Sequence, residues 1–513
     1  SIYIKKMDFL YKPKHTLIKK IHQLSKTDLN LVLDKEYSVK GWIRETRSQY
    51  NHLFIKMYDG SHVLPLQLIF DDKTLELRKK VEPYAHIGAC LEVRGTIVKS
   101  PAKGQLIEMI VSNCKIVGHV TDPDTYLPSA KNLPLEHVRR EQHLRAKFRT
   151  YGSIYRIRSY LMKRVQEFFD LNDCLHLDPN TLVSSDAEGA GETLTVTTLL
   201  KEDDITKIPT ILNSTKIDYT KDLFGNSTAA SLTVSSQLQL EALCAGMSRV
   251  YTTNKSYRAE KSKTKRHLCE FTHVEAELAF TGLTDLMDFC EDLLTFCIKG
   301  VLKDCRDDLD ALGTFHAKGI VQKLESLVKE RFARITYDEA IDLIEIHEKQ
   351  IKEKYGSELT EIPKWGQDLG TYCERFIAEE IFKKPVCVHH FPKDMKSFYM
   401  KQCEPYTVEL KNGAKETRQC CESLDILCPT VGEIFGASVR EENYEKLLLE
   451  MTQRKMDIKP YWWYLDLRKN GSTPTAGFGM GFCRLVTLLT SGFEAGNIRD
   501  STPFVVASDD LRY

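Results

Sequence analysis

Residues 36–118 alternate between apolar and polar positions. Tyr37–Ile43 and Leu53–Tyr58 keep a period of two, which predicts strands with one buried face. Asp59-Gly60 marks a turn, and Val63–Phe70, Cys90–Ile97 and Leu106–Val117 supply three further strand-like runs. Five short strands in about 80 residues, with no long helix among them, predict a small closed barrel of the OB type. Pro65 falls inside one run and predicts an edge or a bulge there.

The pattern then changes. Residues 119–143 carry Pro123, Pro128 and Pro134 among scattered charges and read as a hinge. Ile154, Ile157, Leu161, Val165 and Phe168 keep helical spacing, which predicts a long helix from about Phe148 to Asp170. Pro179 and the run Glu188-Gly-Ala-Gly-Glu192 predict a strand and then a loop. Residues 285–355 read as mainly helical, through Leu286, Phe289, Leu293, Phe296 and Val301. Strand-like runs return from Pro385 and end in Gly477–Phe482, followed by an apolar helix over Leu485–Thr490. The sequence has no internal repeats and no low-complexity tracts.

Composition narrows the class. The 513 residues suggest two to four domains, and 42% hydrophobic with 28% charged residues is ordinary. Lys plus Arg and Asp plus Glu both number 72, which excludes a strongly basic coat but not a local basic face. No apolar run is long enough to predict a transmembrane helix. The 15 cysteines include no C-x-x-C and read as reduced, mostly buried thiols of an intracellular protein. Cys387, His389 and His390 read as strand and loop residues rather than metal ligands. Residues 1–30 hold seven lysines against Asp8 and Asp28, a basic arm or the remainder of a transit peptide.

Three constellations carry chemistry. Ser256–Phe271 gathers Arg258, Lys261, Lys263, Lys265, Arg266 and His267 between Glu260 and Glu270. The apolar runs Leu243–Tyr251 and Val274–Phe280 bracket it, which predicts a hairpin with a cationic tip suited to polyphosphate. Leu424–Glu433 sets Asp425 and Glu433 on neighbouring strand-like segments, hard ligands of the kind that hold Mg2+ with substrate phosphates. Gly477-x-Gly-x-Gly-x-x-Arg484 enters a helix; it is not G-x-G-x-x-G, so a dinucleotide fold is not supported. Its glycines let the backbone approach a planar ligand while Arg484 meets a terminal phosphate.

Together and in this order, these resemble the signature motifs of the class II aminoacyl-tRNA synthetases. Pro179 resembles the proline of motif 1, the dimer element; Arg258–Phe271 resembles motif 2 and Gly477–Arg484 motif 3. A barrel ahead of the catalytic domain is similar to the subclass (b) that handles Asp, Asn and Lys. Ser185–Glu192, Phe391–Met400 and Tyr461–Arg468 resemble the asparaginyl branch, of bacterial and mitochondrial type, over residues 36 to 500. The resemblance implies an α+β chain: a basic extension (1–35), an OB-fold anticodon-binding domain (36–118), a hinge (119–143), and a class II catalytic domain (144–513). That domain would be an antiparallel sheet flanked by helices, with a helical insertion at about 285–380.

It also implies ATP and Mg2+ as cofactors, L-asparagine and tRNA(Asn) as partners, a homodimer through motif 1, and no membrane. The location would be the mitochondrial matrix, with the cytoplasm as the alternative. By the same resemblance Arg258 holds the α-phosphate and the amino-acid carboxylate, and Glu260 and His267 contact ATP. Phe271 stacks on adenine, Arg484 grips the γ-phosphate, and Asp425 and Glu433 bind the metal. Glu188 and Gln237 surround the α-amino group, while Glu275 and Arg440 read the side-chain amide. Phe54 stacks on an anticodon base and Gln67 hydrogen-bonds one. Leu240 stands where aspartyl enzymes place a Lys, which predicts Asn rather than Asp as substrate.

Three places depart from the family pattern. Cys483 replaces an acid before the motif 3 Arg, Thr475-Ala476 stands where a His precedes the glycine run, and Val505-Val506 replaces a Pro-Arg. All three are expected in or beside the ATP and amino-acid site. They frame the alternative function, a catalytically impaired paralogue acting as an RNA-binding or structural subunit.

Overall fold

The computed structural model describes residues 14–130, 133–184, 193–200, 204–262, 264–356, 359, 361–410 and 413–513. The chain divides after Ser153 into two compact units.

In the first unit α1 (Ile18–Thr27) precedes β1 (Glu36–Gln49), β2 (His52–Tyr58) and β3 (Leu66–Phe70). Then come α2 (Leu75–Val81), β4 (Cys90–Lys99) and β5 (Ile107–Gly118). The strands close a barrel in the order β1-β2-β3-β5-β4. Alternate residues fill it; in β2 Leu53, Ile55 and Met57 point inward, and His52, Phe54 and Lys56 do not. Three expectations need correction. β1 is not short: its 14 residues bend around the barrel at a bulge between Ile43 and Glu45. Pro65 precedes β3 rather than interrupting it, since it has no N–H for the ladder. The described part of the extension, residues 14–35, is more than a basic arm, because Ile18 and Ile21 of α1 are buried in the barrel core. The expected hinge contains 3-10 turns at Leu127–Ser129 and Gln142–Lys147 and α3 (Leu135–Arg140), with Pro128 and Pro134 at two of the starts.

The second unit is built on an eight-stranded sheet. After α4 (Arg149–Leu171) come β6 (Leu175–His176), β7 (Leu182–Val183), β8 (Leu194–Val196), β9 (Ala230–Leu232) and α5 (Gln237–Met247). β10 (Arg249–Tyr257) and β11 (Glu270–Ala279) form the expected hairpin, but Leu243–Met247 closes α5 rather than starting its first strand. Next are α6 (Leu283–Asp304), α7 (Arg306–Phe315), α8 (Ile320–Leu327), β12 (Ala333–Thr336), α9 (Tyr337–Ile346), α10 (Glu348–Tyr355) and α11 (Gly370–Phe376). A π turn at Ile377–Ile381 extends α11. The chain ends through β13 (Val386–His389), β14 (Tyr406–Glu409), β15 (Lys415–Arg418), β16 (Ser423–Cys428), β17 (Gly432–Val439), α12 (Tyr444–Gln453), α13 (Trp462–Asp466), β18 (Thr475–Gly481) and α14 (Phe482–Thr490).

The sheet order is β12-β13-β16-β17-β18-β11-β10-β6, antiparallel except for the two end pairs. The region expected as a helical insertion therefore supplies an edge strand, β12, and the core helix α6. That helix buries Leu286, Cys290, Leu293, Cys297 and Val301 along one stripe against β16–β18. A capping box at Thr336 and Glu339 starts α9 directly after β12. Among the described residues no helix is long and apolar enough to cross a membrane.

Candidate active site

The glycine run of β18 lies opposite the acidic stretch of β11, with Glu277 paired to Gly477, Glu275 to Gly479 and His273 to Gly481. A Cβ on Gly477 would collide with the Glu277 carboxylate, and one on Gly479 with the His273 ring. The glycines thus make room for polar side chains of the neighbouring strand as well as for a ligand. On the other side Gly436 of β17 pairs with Gly479, giving the sheet a flat, bare centre.

Over that centre lies a cavity of about 340 Å³ lined by Gln237, Arg258, Glu275, Asp425, Glu433 and Arg440, among others. A second cavity, of about 130 Å³, adjoins it and is lined by Arg258, Glu260, His267, Phe271, Glu433 and Arg484. Arg258, His273, Glu433 and Gly479 border both, so the two form one cleft. Of the catalytic-domain residues assigned to ATP, the metal or the amino acid, all line this cleft except Glu188, which lies with residues 185–192 outside the described residues. Lys263 of the cationic loop also lies outside them.

In the smaller cavity Arg258 stands at the end of β10, its backbone N–H donating to the Cys269 carbonyl at 2.9 Å across the neck of the loop. Its guanidinium is 3.8 Å from Glu260 and 5.9 Å from the centre of the Phe271 ring. His267 is hydrogen-bonded through Nδ1 to Ser262 at 2.9 Å, and its Nε2 lies 3.9 Å from Glu260. Burial, and then Arg484, lower the His267 pKa and favour the neutral ring. Arg484, in the first turn of α14, donates to the Glu433 carbonyl at 2.8 Å and lies 3.5 Å from its carboxylate.

Asp425 and Glu433 sit on the paired strands β16 and β17. A Cβ on Gly436 would lie 3.4 Å from Glu433 Oε1 and 3.7 Å from Asp425 Oδ1, so the two carboxylates converge. Burial raises the Asp425 pKa, against the pull of Lys396, which donates to both its oxygens at 2.7 and 2.9 Å. Burial would raise Glu433 as well, but Arg484, Lys396, Arg266 and Arg258 hold it below the usual carboxylate value. Two convergent carboxylates beside a cleft lined by Arg258, Arg266 and Arg484 fit a Mg2+, which the site would hold together with an anionic substrate. Among the described residues no group of three or more His, Cys, Asp or Glu is placed to hold a metal by itself.

The larger cavity is a polar cup. Gln237 opens α5 and donates to Glu241 at 3.0 Å. Glu275 accepts the Ser235 hydroxyl and the Ser236 backbone N–H, the latter at 3.0 Å. Its carboxylate is therefore tied to the start of α5. Arg440 is buried and donates to both oxygens of Glu277, through Nε at 3.2 Å and through Nη2. Its backbone N–H donates to the Thr475 carbonyl at 2.8 Å.

Reading the sequence missed several residues of the cleft. Glu277, Ser235, His273, Tyr399 and Lys396 all line the larger cavity. The acidic alternation Glu275-x-Glu277 on one strand was the available signal for Glu277. Glu374 of α11 accepts from Arg266 at 3.4 Å and from the Glu433 backbone N–H at 3.2 Å. It holds the cationic loop against the turn into β17. There Gly432 has φ +69°, and a Cβ would fall 2.6 Å from the Glu374 carboxylate.

Leu240 lines neither cavity. It is fully buried beside Cys244 and Val250 on the core face of α5, away from the cleft where it was expected to meet the substrate side chain. The three departures lie in different places. Cys483 borders the smaller cavity and packs with Leu268, Ile498, Val505 and Ala507; Val506 accepts the Cys269 N–H at 2.8 Å. Thr475 instead lines a separate cavity that includes Glu241 and Arg468.

In the barrel Phe54 and Gln67 lie on the adjacent strands β2 and β3, Phe54 opposite Ile69 and Gln67 opposite Lys56. Both are half-buried on the outward face. The Phe54 ring is 5.9 Å from His52, and Gln67 donates to Glu108 at 3.3 Å.

Residues 135–508 match the model of tRNA synthetases class II (D, K and N), and residues 37–117 match that of the OB-fold nucleic acid binding domain. The asparagine–tRNA ligase of Shewanella halifaxensis is 37% identical over 476 residues, 93% of this chain and 96% of that protein. That of Borreliella burgdorferi is 36% identical over 475 residues, again 93% and 96%. Among solved structures, asparaginyl-tRNA synthetase from Pyrococcus horikoshii complexed with asparaginyl-adenylate matches with a TM-score of 0.75 and 26% identity. The match covers 98% of this chain and 100% of that one. The Entamoeba histolytica asparaginyl-tRNA synthetase in complex with asparaginyl-adenylate matches with a TM-score of 0.74 and 25% identity, over 98% and 100%.

Proposed function

We infer the activity from the family: the chain belongs to the class II tRNA synthetases (D, K and N), and within it we propose an asparagine–tRNA ligase. It activates L-asparagine with ATP to asparaginyl-adenylate and transfers the asparaginyl group to tRNA(Asn). The observation that carries this reading is Arg258, which borders both cavities of the cleft. One cavity is a polar cup of amino-acid size, and the other has an aromatic wall and a terminal arginine.

Phe271 offers a face to the adenine, and Arg484 meets the far end of the triphosphate. Arg258, which borders both cavities, would lie between the α-phosphate and the amino-acid carboxylate. An oxygen of that carboxylate bonds to the α-phosphorus, and the bond to the bridging oxygen breaks as pyrophosphate leaves. No protein nucleophile is needed; the site supplies orientation and fixed positive charge where negative charge builds. His267 in its neutral form donates or accepts a hydrogen bond without adding charge. Asp425 and Glu433 would hold the Mg2+, which supplies charge neutralisation to the phosphates. Gln237 surrounds the α-amino group, and Glu275 and Arg440 read the side-chain amide, with Glu277 pairing Arg440. A hydroxyl of the tRNA's terminal ribose then attacks the acyl carbon, and AMP leaves.

The barrel supports anticodon reading, because Phe54 and Gln67 share an outward face suited to stacking and hydrogen-bonding unpaired bases. A homodimer through the Pro179 element and a mitochondrial-matrix location, with the cytoplasm as the alternative, belong to the same proposal. Exposed Leu171 and Leu175 beside that element support the dimer. Light scattering on the pure chain and imaging of a tagged one test these two points. Asparagine-dependent ATP–pyrophosphate exchange tests the activity. It is expected with asparagine, absent with aspartate, and lost in Arg258→Ala. A chain that binds tRNA but exchanges with no amino acid would instead be the non-catalytic subunit.

A further inference from the structure

Tyr461–Arg468 resembles the asparaginyl branch, yet Tyr464 and Arg468 border neither cavity of the cleft. Their polar groups turn inward onto Glu241, itself 3% exposed. One Glu241 oxygen accepts from Gln237 at 3.0 Å and lies 3.9 Å from Arg440 Nε. The other accepts the Tyr464 hydroxyl at 2.7 Å and an Arg468 N–H. Arg468 also donates to the Glu441 carbonyl at 3.1 Å and to the Tyr464 oxygen at 2.8 Å, with its guanidinium 4.0 Å from the centre of that ring.

Four buried charges thus form two pairs. Arg440 and Glu277 face the amino-acid cavity; Glu241 and Arg468 face the separate cavity behind it, of about 150 Å³. Glu241 stands between, touching Gln237 and near Arg440. While Arg468 and Tyr464 hold the other oxygen of Glu241, Arg440 is balanced chiefly by Glu277, the nearer carboxylate. A neutral amide then meets a charge-balanced pair, and a carboxylate finds no spare positive charge.

We propose that Arg468 and Tyr464 are positioning residues that act through Glu241 to hold Gln237 and Arg440. On this view they set the discrimination between an amide and a carboxylate side chain. This rests on the asparagine-activating reading above. The signs follow from the charges. Without Arg468, Glu241 is drawn to Arg440 and pulls it from the amide, weakening asparagine. Without the Glu241 charge, Arg468 leaves an excess of positive charge, and aspartate is better tolerated.

The test is pyrophosphate exchange on the full chain, with melting temperature as a check on folding. Arg468→Met is expected to raise KM for asparagine on the order of tenfold while KM for ATP stays within about twofold. Arg468→Lys is expected to recover part of the loss. Glu241→Gln is expected to lower the asparagine-to-aspartate ratio of kcat/KM by about tenfold. If Arg468→Met does not fold, Tyr464→Phe, which removes one hydroxyl, is expected to raise KM for asparagine alone. Folded variants with unmoved asparagine KM and unmoved ratio, or with an equal rise in KM for ATP, would overturn the inference. A wild-type chain with no asparagine-dependent exchange would overturn the activity itself, and the inference with it.

Discussion

Gly477 faces Glu277 across the β11–β18 ladder, and the Glu277 carboxylate fills the space that any side chain at 477 would need. The pairing explains why the motif 3 glycine run must be bare at this point. Gly477→Ala would push Glu277 off Arg440 and leave a buried arginine without its bidentate partner. The expected destabilisation is about 3 kcal/mol or more, combining overpacking with a broken buried pair. Denaturant unfolding and pyrophosphate exchange would both register it. Wild-type stability in Gly477→Ala would show that both the Glu277 carboxylate and the Ala276 carbonyl, which a Cβ at 477 would also meet, can give way.

In the barrel, Phe54→Ala is expected to weaken tRNA binding by about 1–3 kcal/mol, the usual worth of one base stack. Adenylate formation should be untouched, because the cleft lies wholly within the second compact unit. Filter binding at two salt concentrations, alongside exchange, separates the effects. Normal tRNA affinity in the mutant would remove Phe54 from the anticodon site.

Much of this architecture was legible because it rests on local patterns. Alternation over Leu53–Tyr58 gave the barrel strand, and the spacing from Ile154 to Phe168 gave α4. The cationic loop, Asp425, Glu433 and Arg484 were found as charges that a fold has no structural use for at those spacings. Other features depend on pairing across distant segments. Whether Leu240 faces the core or the ligand is set by the rotation of α5, which its apolar run leaves open. Glu241, Arg440 and Arg468 are far apart in sequence, so their union follows only from the placement of α5, β17 and α13. β12 was hidden because four residues between helices carry too little periodicity to stand out.

Lys323 gives a prediction in pH. It is 2% exposed and donates to the Leu488 and Ser491 carbonyls, each at 2.7 Å, at the C-terminal end of α14. Burial lowers its pKa to about 7, well below that of a lysine in the unfolded chain. Between those values the unfolded chain binds the proton and the folded chain does not. Stability therefore rises with pH across this window, by about 1.4 kcal/mol per unit at most. The effect is absent below the folded pKa, where both states are protonated. In Lys323→Met this rise should vanish, with the loss of the two carbonyls' donor weighing most at high pH, where the lysine is neutral in the fold. Melting curves of both proteins from pH 6.5 to 9 check it, and parallel profiles would mean that Lys323 does not titrate there.

The last prediction concerns Cys483, the departure beside the motif 3 arginine. Cys483 is one of the three departures that frame the impaired paralogue, and such impairment would follow if the lost acid served to orient Arg484. The cleft argues otherwise, because Arg484 is held by Glu433, through its carbonyl at 2.8 Å and its carboxylate at 3.5 Å. The Cys483 thiol instead lies 3.6 Å from Arg158 Nη1, whose guanidinium also donates to the Ser501 carbonyl at 3.1 Å and the Thr272 hydroxyl at 3.2 Å. An acid at 483 would therefore find Arg158, not Arg484. Cys483→Glu is expected to leave the exchange rate within about twofold, since Arg484 stays held by Glu433. Its stability would reflect two opposing effects, burial of a charge and pairing with Arg158. Cys483→Glu with Arg158→Met removes the pairing and should melt lower than Cys483→Glu alone by more than Arg158→Met lowers the wild type. A large rise in exchange rate in Cys483→Glu would show instead that residue 483 governs Arg484 after all.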